Sequence, residues 1–290
     1  MTRSGILATL QAEAVKEMRD IIVKMLSKIV IPIKALRSLA GKLSNAARLL
    51  TAWRPFLAEI WAALSAPSGH APSGTLWSRQ VAPALRWFAA LLDRRSLSIM
   101  RPFLWKAYVL PASRTVFVVD ASPWGLGALV VENGVVVEYL TDQISPVDCA
   151  NLGLVVGSPD GQQVLEALAM LVALRTWRAR WQQWRSTVAV RGDNVTMLTM
   201  VLHFKGSSPA LSMIARELAL EVAEAAYRPL LAEHIPGAAN VSADALSRLH
   251  APGGLYKLPD ELRNVQQASV EARPREWYRS LGPPAAKRRQ

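Results

Sequence analysis

Cysteine occurs once in the 290 residues, at Cys149. A lone thiol excludes a disulfide framework and a cysteine zinc site, and it fits an intracellular setting. Long apolar runs are missing as well. The richest, from Ile21 to Ile33, is broken by Lys24, Lys28 and Pro32, well short of the roughly 20 apolar residues that a membrane-spanning helix needs. No membrane span is therefore expected. The opening MTRSGILATLQAEAVKEMRD has neither the apolar core nor the small-residue cleavage site of a signal peptide.

What is present is a chain with 51% apolar residues, long enough for a sizeable core and for two domains. Its formal net charge of +12 is unevenly placed: residues 1–110 carry +11, residues 111–250 carry -3 and residues 251–290 carry +4. An acidic middle thus lies between two basic arms. Two readings of the arms stand on charge alone: solvated helix faces, or surfaces for a polyanion whose binding would weaken with salt. Lys34, Arg37 and Lys42 are the arm residues singled out for that contact.

Through residue 110 the apolar spacing is helical, three and four residues apart, with a break at Pro32. Gly41 interrupts a helical pattern at a cost of about 1 kcal/mol against alanine, which points either to packing or to close approach by a ligand. SAPSGHAPSG, residues 65–74, reads as a linker or exposed loop. Trp53, Trp61, Trp77, Trp87 and Trp105 are read as core aromatics in this mainly helical domain.

From residue 114 the pattern alternates. RTVFVVDASPWGLGA is a β-branched strand that closes on an acid, Asp120, and re-enters through Gly125 and Gly127. Strands are expected at 114–120, 126–132 and 135–140, with Asn133-Gly134 turning the last hairpin. Residues 141–161 read as irregular. A long helix is expected from Gln162 to Gln183, with Trp177, Trp181 and Trp184 on its apolar face beside Glu166. On the residues alone, Glu166 is either a solvated acid near a helix start or a site carboxylate. STVAVRGD is another strand closing on an acid, Asp193; RPLLAEHI follows as the last strand, and Ser242 is expected to cap a short helix holding Asp244. If the strands ending in Asp120 and Asp193 are neighbours, their charges raise each other's pKa unless a cation intervenes, and an all-oxygen set selects a hard one.

The order VDAS, GQQVLEALAMLVALRTW, VRGDN and HIPGAANVSADALSR resembles the type 1 ribonuclease H domain of gypsy-like and DIRS-like retrotransposon reverse transcriptases, over about residues 112–250. The helices before it, with AGKLSNAARLLTAWRPFL, resemble the thumb and connection region of those polymerases. The resemblance implies an α/β fold of the RNase H type, a mixed five-stranded sheet flanked by helices, preceded by a basic, mainly helical domain. Domains are expected at 1–110, 111–250 and 251–290, the last a flexible basic tail. It also implies Asp120, Glu166, Asp193 and Asp244 as metal-binding acids for two Mg2+ ions, or Mn2+, with Asp120 between the ions. His234 matches a mobile histidine that assists proton transfer or product release. Asn240 matches a position contacting 2'-hydroxyls of an RNA–DNA hybrid, and Ser122 is a candidate backbone contact. The implied partners are the hybrid and the polymerase part of the same element.

No YxDD-type turn and no fingers or palm sequence is found, so DNA polymerisation by this chain is not expected. Its expected function is RNA-strand hydrolysis in hybrids. The alternative is a catalytically inactive nucleic-acid-binding remnant, in which the N-terminal arm and the tail, with Arg273, Arg275 and Arg279, supply the grip.

Overall fold

The computed structural model describes residues 5–66, 71–93, 99–104, 113–182, 186–224 and 231–283. The chain divides into two compact units, residues 1–108 with 279–290, and residues 109–278. Among the described residues no helix is long and apolar enough to cross a membrane.

The first unit is built from β1 (Gly5–Thr9), α1 (Ala12–Leu26), β2 (Val30–Pro32), α2 (Ile33–Leu49), α3 (Arg54–Ser65), β3 (Thr75–Trp77), α4 (Ala82–Leu92) and β4 (Met100–Leu104). The short strands pair as two antiparallel ribbons, β1 with β4 and β2 with β3, which helical periodicity does not announce. Trp53 packs edge-on to Phe88 at 5.6 Å and Phe56 against Trp87 at 4.8 Å, so these two tryptophans are core. Trp61 is exposed, and Trp105 lies outside the described residues. On α2, Lys34, Arg37, Gly41 and Arg48 are exposed, and a Cβ placed on Gly41 would meet nothing within 4 Å. Packing among the described residues therefore does not account for this glycine.

The second unit carries β5 (Ser113–Ala121), β6 (Gly125–Glu132), β7 (Val135–Gln143), α5 (Pro146–Leu152), α6 (Gln162–Thr176), α7 (Arg178–Gln182), β8 (Ser186–Gly192), α8 (Val195–His203), α9 (Pro209–Glu224), β9 (Leu231–His234), α10 (Val241–Arg248) and β10 (Gln266–Gln267). The sheet order is β10-β7-β6-β5-β8-β9. β5, β6 and β7 form the antiparallel meander, its last hairpin turning on positive-φ Asn133 and Gly134, while β8 and β9 run parallel to β5. This is the mixed α/β sheet that the resemblance implies, with one short strand more than expected. β5 and β8 are neighbours, so the strand ends bearing Asp120 and Asp193 lie on one side of the sheet.

Side-chain alternation assigns the faces. Phe117 packs on Trp177 at 5.3 Å, putting it on the face covered by α6. Gly127, directly opposite Asp120, lies against α10 on the other face. A Cβ on Gly127 would sit 2.4 Å from the Ala243 carbonyl oxygen, and one on Gly125 2.7 Å from that of Ser247. These glycines therefore admit a helix onto the sheet, rather than only turning the chain as their spacing suggests. The helix from Gln162 stops at Thr176, earlier than expected; Trp177 and Trp181 are core, and Trp184 lies outside the described residues.

Two stretches differ from expectation. Within 141–161, Ser145 and Asp148 form a capping box that starts α5, with Asp148 N–H to Ser145 Oγ at 3.1 Å and Ser145 N–H to Asp148 Oδ2 at 2.8 Å. Residues 251–278 are not a free tail. Leu262 joins Leu129, Tyr139 and Leu246 in a buried cluster, and β10 covers the β7 edge. Arg273 is buried and donates to Asp148 at 2.9–3.1 Å, to Asp142 and to the Gln143 carbonyl at 2.7 Å, while the Tyr278 hydroxyl donates to Asp148 at 2.5 Å. Arg273 is thereby withdrawn from any grip on nucleic acid.

Candidate active site

Asp120 sits in β5 on the α10 face and is 6% exposed. Its Oδ1 accepts from Asn240 Nδ2 at 3.2 Å and its Oδ2 from Ser247 Oγ at 2.9 Å. Burial raises its pKa to about 7; Ser247 opposes the shift, and the charges of Asp244 and Asp193 add to it.

Glu166 stands on α6 at 5% exposure, which rules out the solvated reading. Its Oε1 accepts from Asn194 Nδ2 at 3.3 Å and Gln162 Nε2 at 3.4 Å. Burial first, then Asp193, raises this carboxyl to about 7 as well, with a smaller contribution from Asp120. Asp193 follows the end of β8 and is half-buried. Asp244 occupies the first turn of α10 and meets the guanidinium of Arg248 at 2.7 Å. The field of Asp120 thus links all four acids, which arrive from two strand ends and two helices.

Several expected contacts fall elsewhere. Asn240 is 2% exposed, and its amide nitrogen is committed to the Val119 carbonyl at 3.1 Å and to Asp120, so its side chain faces inward and not a hybrid's 2'-hydroxyl. Ser122 is buried; its hydroxyl donates to the Ser247 carbonyl at 2.6 Å and accepts from the N–H groups of Trp124 and Gly125. The N-cap of α10 is Asn240, not Ser242, whose hydroxyl instead donates to Glu261 at 2.7 Å. His234 ends β9, exposed, and its Nε2–H donates to the Asp193 backbone carbonyl at 3.1 Å, beside the acids. Lys34 and Arg37 are exposed on α2 in the first unit, while Lys42 pairs with Glu17 at 3.0 Å.

Gln162, Asn194, Ser247 and Arg248 escaped sequence reasoning. Asn194 had a readable signal: it caps α8 through its oxygen, accepting from Thr196 and Met197 N–H, which leaves its nitrogen to face Glu166. Ser247 follows Asp244 by three positions, which puts the two on the same face of α10, one turn apart.

Neither a protein-family model nor a curated protein matches the chain. Among solved structures, it is similar to RNase H1 from the halophilic archaeon Halobacterium salinarum NRC-1, at 19% identity and TM-score 0.36 over 47% of this chain and 96% of that one. It is also similar to a foamy viral protease-reverse transcriptase dRH in complex with double-stranded DNA, at 14% identity and TM-score 0.27 over 79% of this chain. A foamy viral protease-reverse transcriptase in complex with RNA/DNA hybrid matches at 16% identity and TM-score 0.24 over 89% of this chain. The chain spans 35% and 29% of those two viral proteins.

The donor set suits a hard divalent cation: every carboxylate presents oxygen, no soft ligand stands among them, and the two buried acids repel each other's charge. Among the described residues no three of these side chains converge, as placed, around a common point. The fit is therefore one of donor chemistry and charge.

The two raised pKa values set a pH dependence. An unfolded Asp or Glu titrates near pH 4, whereas folded Asp120 and Glu166 hold protons to about pH 7. Their stabilising contribution is complete below about pH 4 and is lost as pH rises to about 7. Glu166→Gln is accordingly expected to melt higher than wild type in EDTA, by an advantage that grows between pH 5 and pH 8, at roughly 2–4 °C per kcal/mol. Melting curves at both pH values check this; an advantage that shrinks with pH contradicts it.

Proposed function

We propose that residues 109–278 hydrolyse the RNA strand of RNA–DNA hybrids with divalent metal, as the ribonuclease H part of a retroelement reverse transcriptase. The observation that carries this reading is the burial of Asp120 and Glu166, each raised to about pH 7, within the electrostatic reach of Asp193, with Asp244 also acting on Asp120, at the ends of two adjacent parallel strands. Such acids are costly to a fold that makes no use of them. The order of the motifs along the chain supports the same assignment.

In this reading Asp120, Asp193, Glu166 and Asp244 hold two Mg2+ ions, with Mn2+ as a substitute. When bound, such ions lower the pKa of a water molecule and stabilise charge at the phosphate. Asn240 and Ser247 orient Asp120, while Gln162 and Asn194 orient Glu166. Because His234 Nε2–H is engaged by the Asp193 carbonyl, Nδ1 is the atom that takes up or gives back a proton. Water adds at phosphorus and the bond to the 3'-oxygen breaks, leaving a 3'-hydroxyl and a 5'-phosphate. The exposed Lys34 and Arg37 are proposed to contact phosphates, a term that weakens with salt.

A binding-only remnant has one observation in its favour, the pairing of Asp244 with Arg248, which occupies one of the four acids. Incubating the full chain and Mg2+ with end-labelled hybrid, RNA duplex and DNA duplex separates the readings. RNA-strand cuts in the hybrid alone support the proposal; salt-sensitive hybrid binding without cuts supports the remnant.

A further inference from the structure

Asp120 does not hold itself in place. One of its two protein donors is Ser247, which is fully buried although serine is more often exposed. The backbone of Ser247 is pinned from three sides. Its carbonyl accepts from Ser122 Oγ at 2.6 Å, the preceding carbonyl, that of Leu246, accepts from Thr141 Oγ1 at 2.8 Å, and its N–H edge lies against Gly127 with no room for a Cβ. Both carbonyls belong to the last turn of α10, where helix oxygens lack their usual i+4 donors; the Leu246 carbonyl also accepts from the Leu249 N–H at 3.4 Å, and hydroxyls from the sheet side close that helix end.

The Ser247 hydroxyl has one proton and two acceptors, Asp120 Oδ2 at 2.9 Å and the Asp244 backbone carbonyl at 2.9 Å. One oxygen atom therefore touches the side chain of one site acid and the backbone of another. We propose that Ser247 is a positioning residue that fixes the Asp120 carboxylate and its spacing from Asp244, and through them the affinity of the site for a divalent cation. The inference rests on reading Asp120 as a metal-binding acid. Nothing in the packing of α10 asks for a hydroxyl here: alanine has nearly the same size and a higher helix propensity, so a purely structural position would be served as well by alanine.

The test is Mn2+ binding to the full chain, followed by electron paramagnetic resonance, in wild type, Asp120→Asn, Ser247→Ala and Ser247→Thr, with melting in EDTA recorded for each. Expected is a loss of roughly 10-fold or more in Mn2+ affinity for Ser247→Ala, the usual size for removing a group that orients a ligand. Its melting temperature should stay at or near that of wild type, and Ser247→Thr, which keeps the hydroxyl, should recover most of the affinity. A Ser247→Ala chain that binds Mn2+ like wild type, or that loses its fold in EDTA, overturns the assignment while leaving Asp120 as a ligand. Equal Mn2+ binding by wild type and Asp120→Asn rejects the underlying reading, and this inference with it.

Discussion

Replacing Asp120 by asparagine is expected to abolish hybrid cleavage while leaving the protein folded and more stable in EDTA at pH 8. The two effects share one cause. Asp120 is 6% exposed and lies in the fields of Asp193 and Asp244, so its ionised form is held against burial and like charge. Asparagine removes that charge and still fits the local bonds, with its oxygen toward Asn240 Nδ2 and its amide toward the Ser247 hydroxyl. On the proposed function the same substitution also removes an anionic metal ligand. If that ligand's metal supplies about 4 kcal/mol of transition-state stabilisation, cleavage falls by about 10^3-fold. Melting curves paired with initial rates check both halves. A substitution that merely damaged the core would lower both quantities, and a slow but equally unstable variant would contradict the account of the buried charge.

The second large effect is expected far from the acids. Asp148 is fully buried and serves four groups: the Ser145 N–H, two arms of Arg273 and the Tyr278 hydroxyl. Burial, and then the Asp148 charge, push the Tyr278 phenol well above its ordinary pKa, so this tyrosine stays a hydroxyl donor. Asp148→Ala leaves the Arg273 guanidinium buried with only Asp142 and a carbonyl to face it. Breaking a buried pair from one side costs about 3–5 kcal/mol, or roughly 6–20 °C in a domain of this size. Asp148→Asn, which keeps an acceptor oxygen, is expected to lose less. Thermal unfolding of both variants checks the order; an Asp148→Ala midpoint within a degree of wild type would show that residues 251–278 are dispensable to the fold.

These two cases mark what the sequence makes legible. The meander, the parallel β8 and the final helix announce themselves through β-branched runs, Asn133-Gly134 and the alternation around Asp120, because each depends on neighbours in sequence. Asp120 and Asp193 are legible for the same reason, since an acid at the end of an apolar strand is anomalous wherever it occurs, whereas Glu166 and Asp244 lie on helices and are marked as site acids only by the resemblance. Residues 251–278 are different. Their apolar residues are few and aperiodic; Leu262 packs on Leu129 and Tyr139 of the sheet, and Arg273 and Tyr278 are held by Asp148, more than a hundred positions away in the chain. A buried arginine there looks in sequence like one more charge of a basic tail. Asn240 and Ser122 are misplaced by the same blindness: their residue types fit contact with a nucleic acid, and only the approach of α10 to Gly125 and Gly127 turns them inward. The capping box at Ser145 and Asp148 is readable as S-x-x-D and builds a short helix over 146–152, while 153–161 is irregular as expected.

The most direct test of the central claim is cleavage of a hybrid with a labelled RNA strand by the intact chain, in Mg2+ and in EDTA, with Asp120→Asn alongside. The expected result is internal cuts in the RNA strand with 5'-phosphate ends in Mg2+, none in EDTA, and loss of at least about 10^3-fold in the variant. Intact RNA after full binding of the hybrid in Mg2+ and in Mn2+, or cuts that persist unchanged in Asp120→Asn, would contradict it.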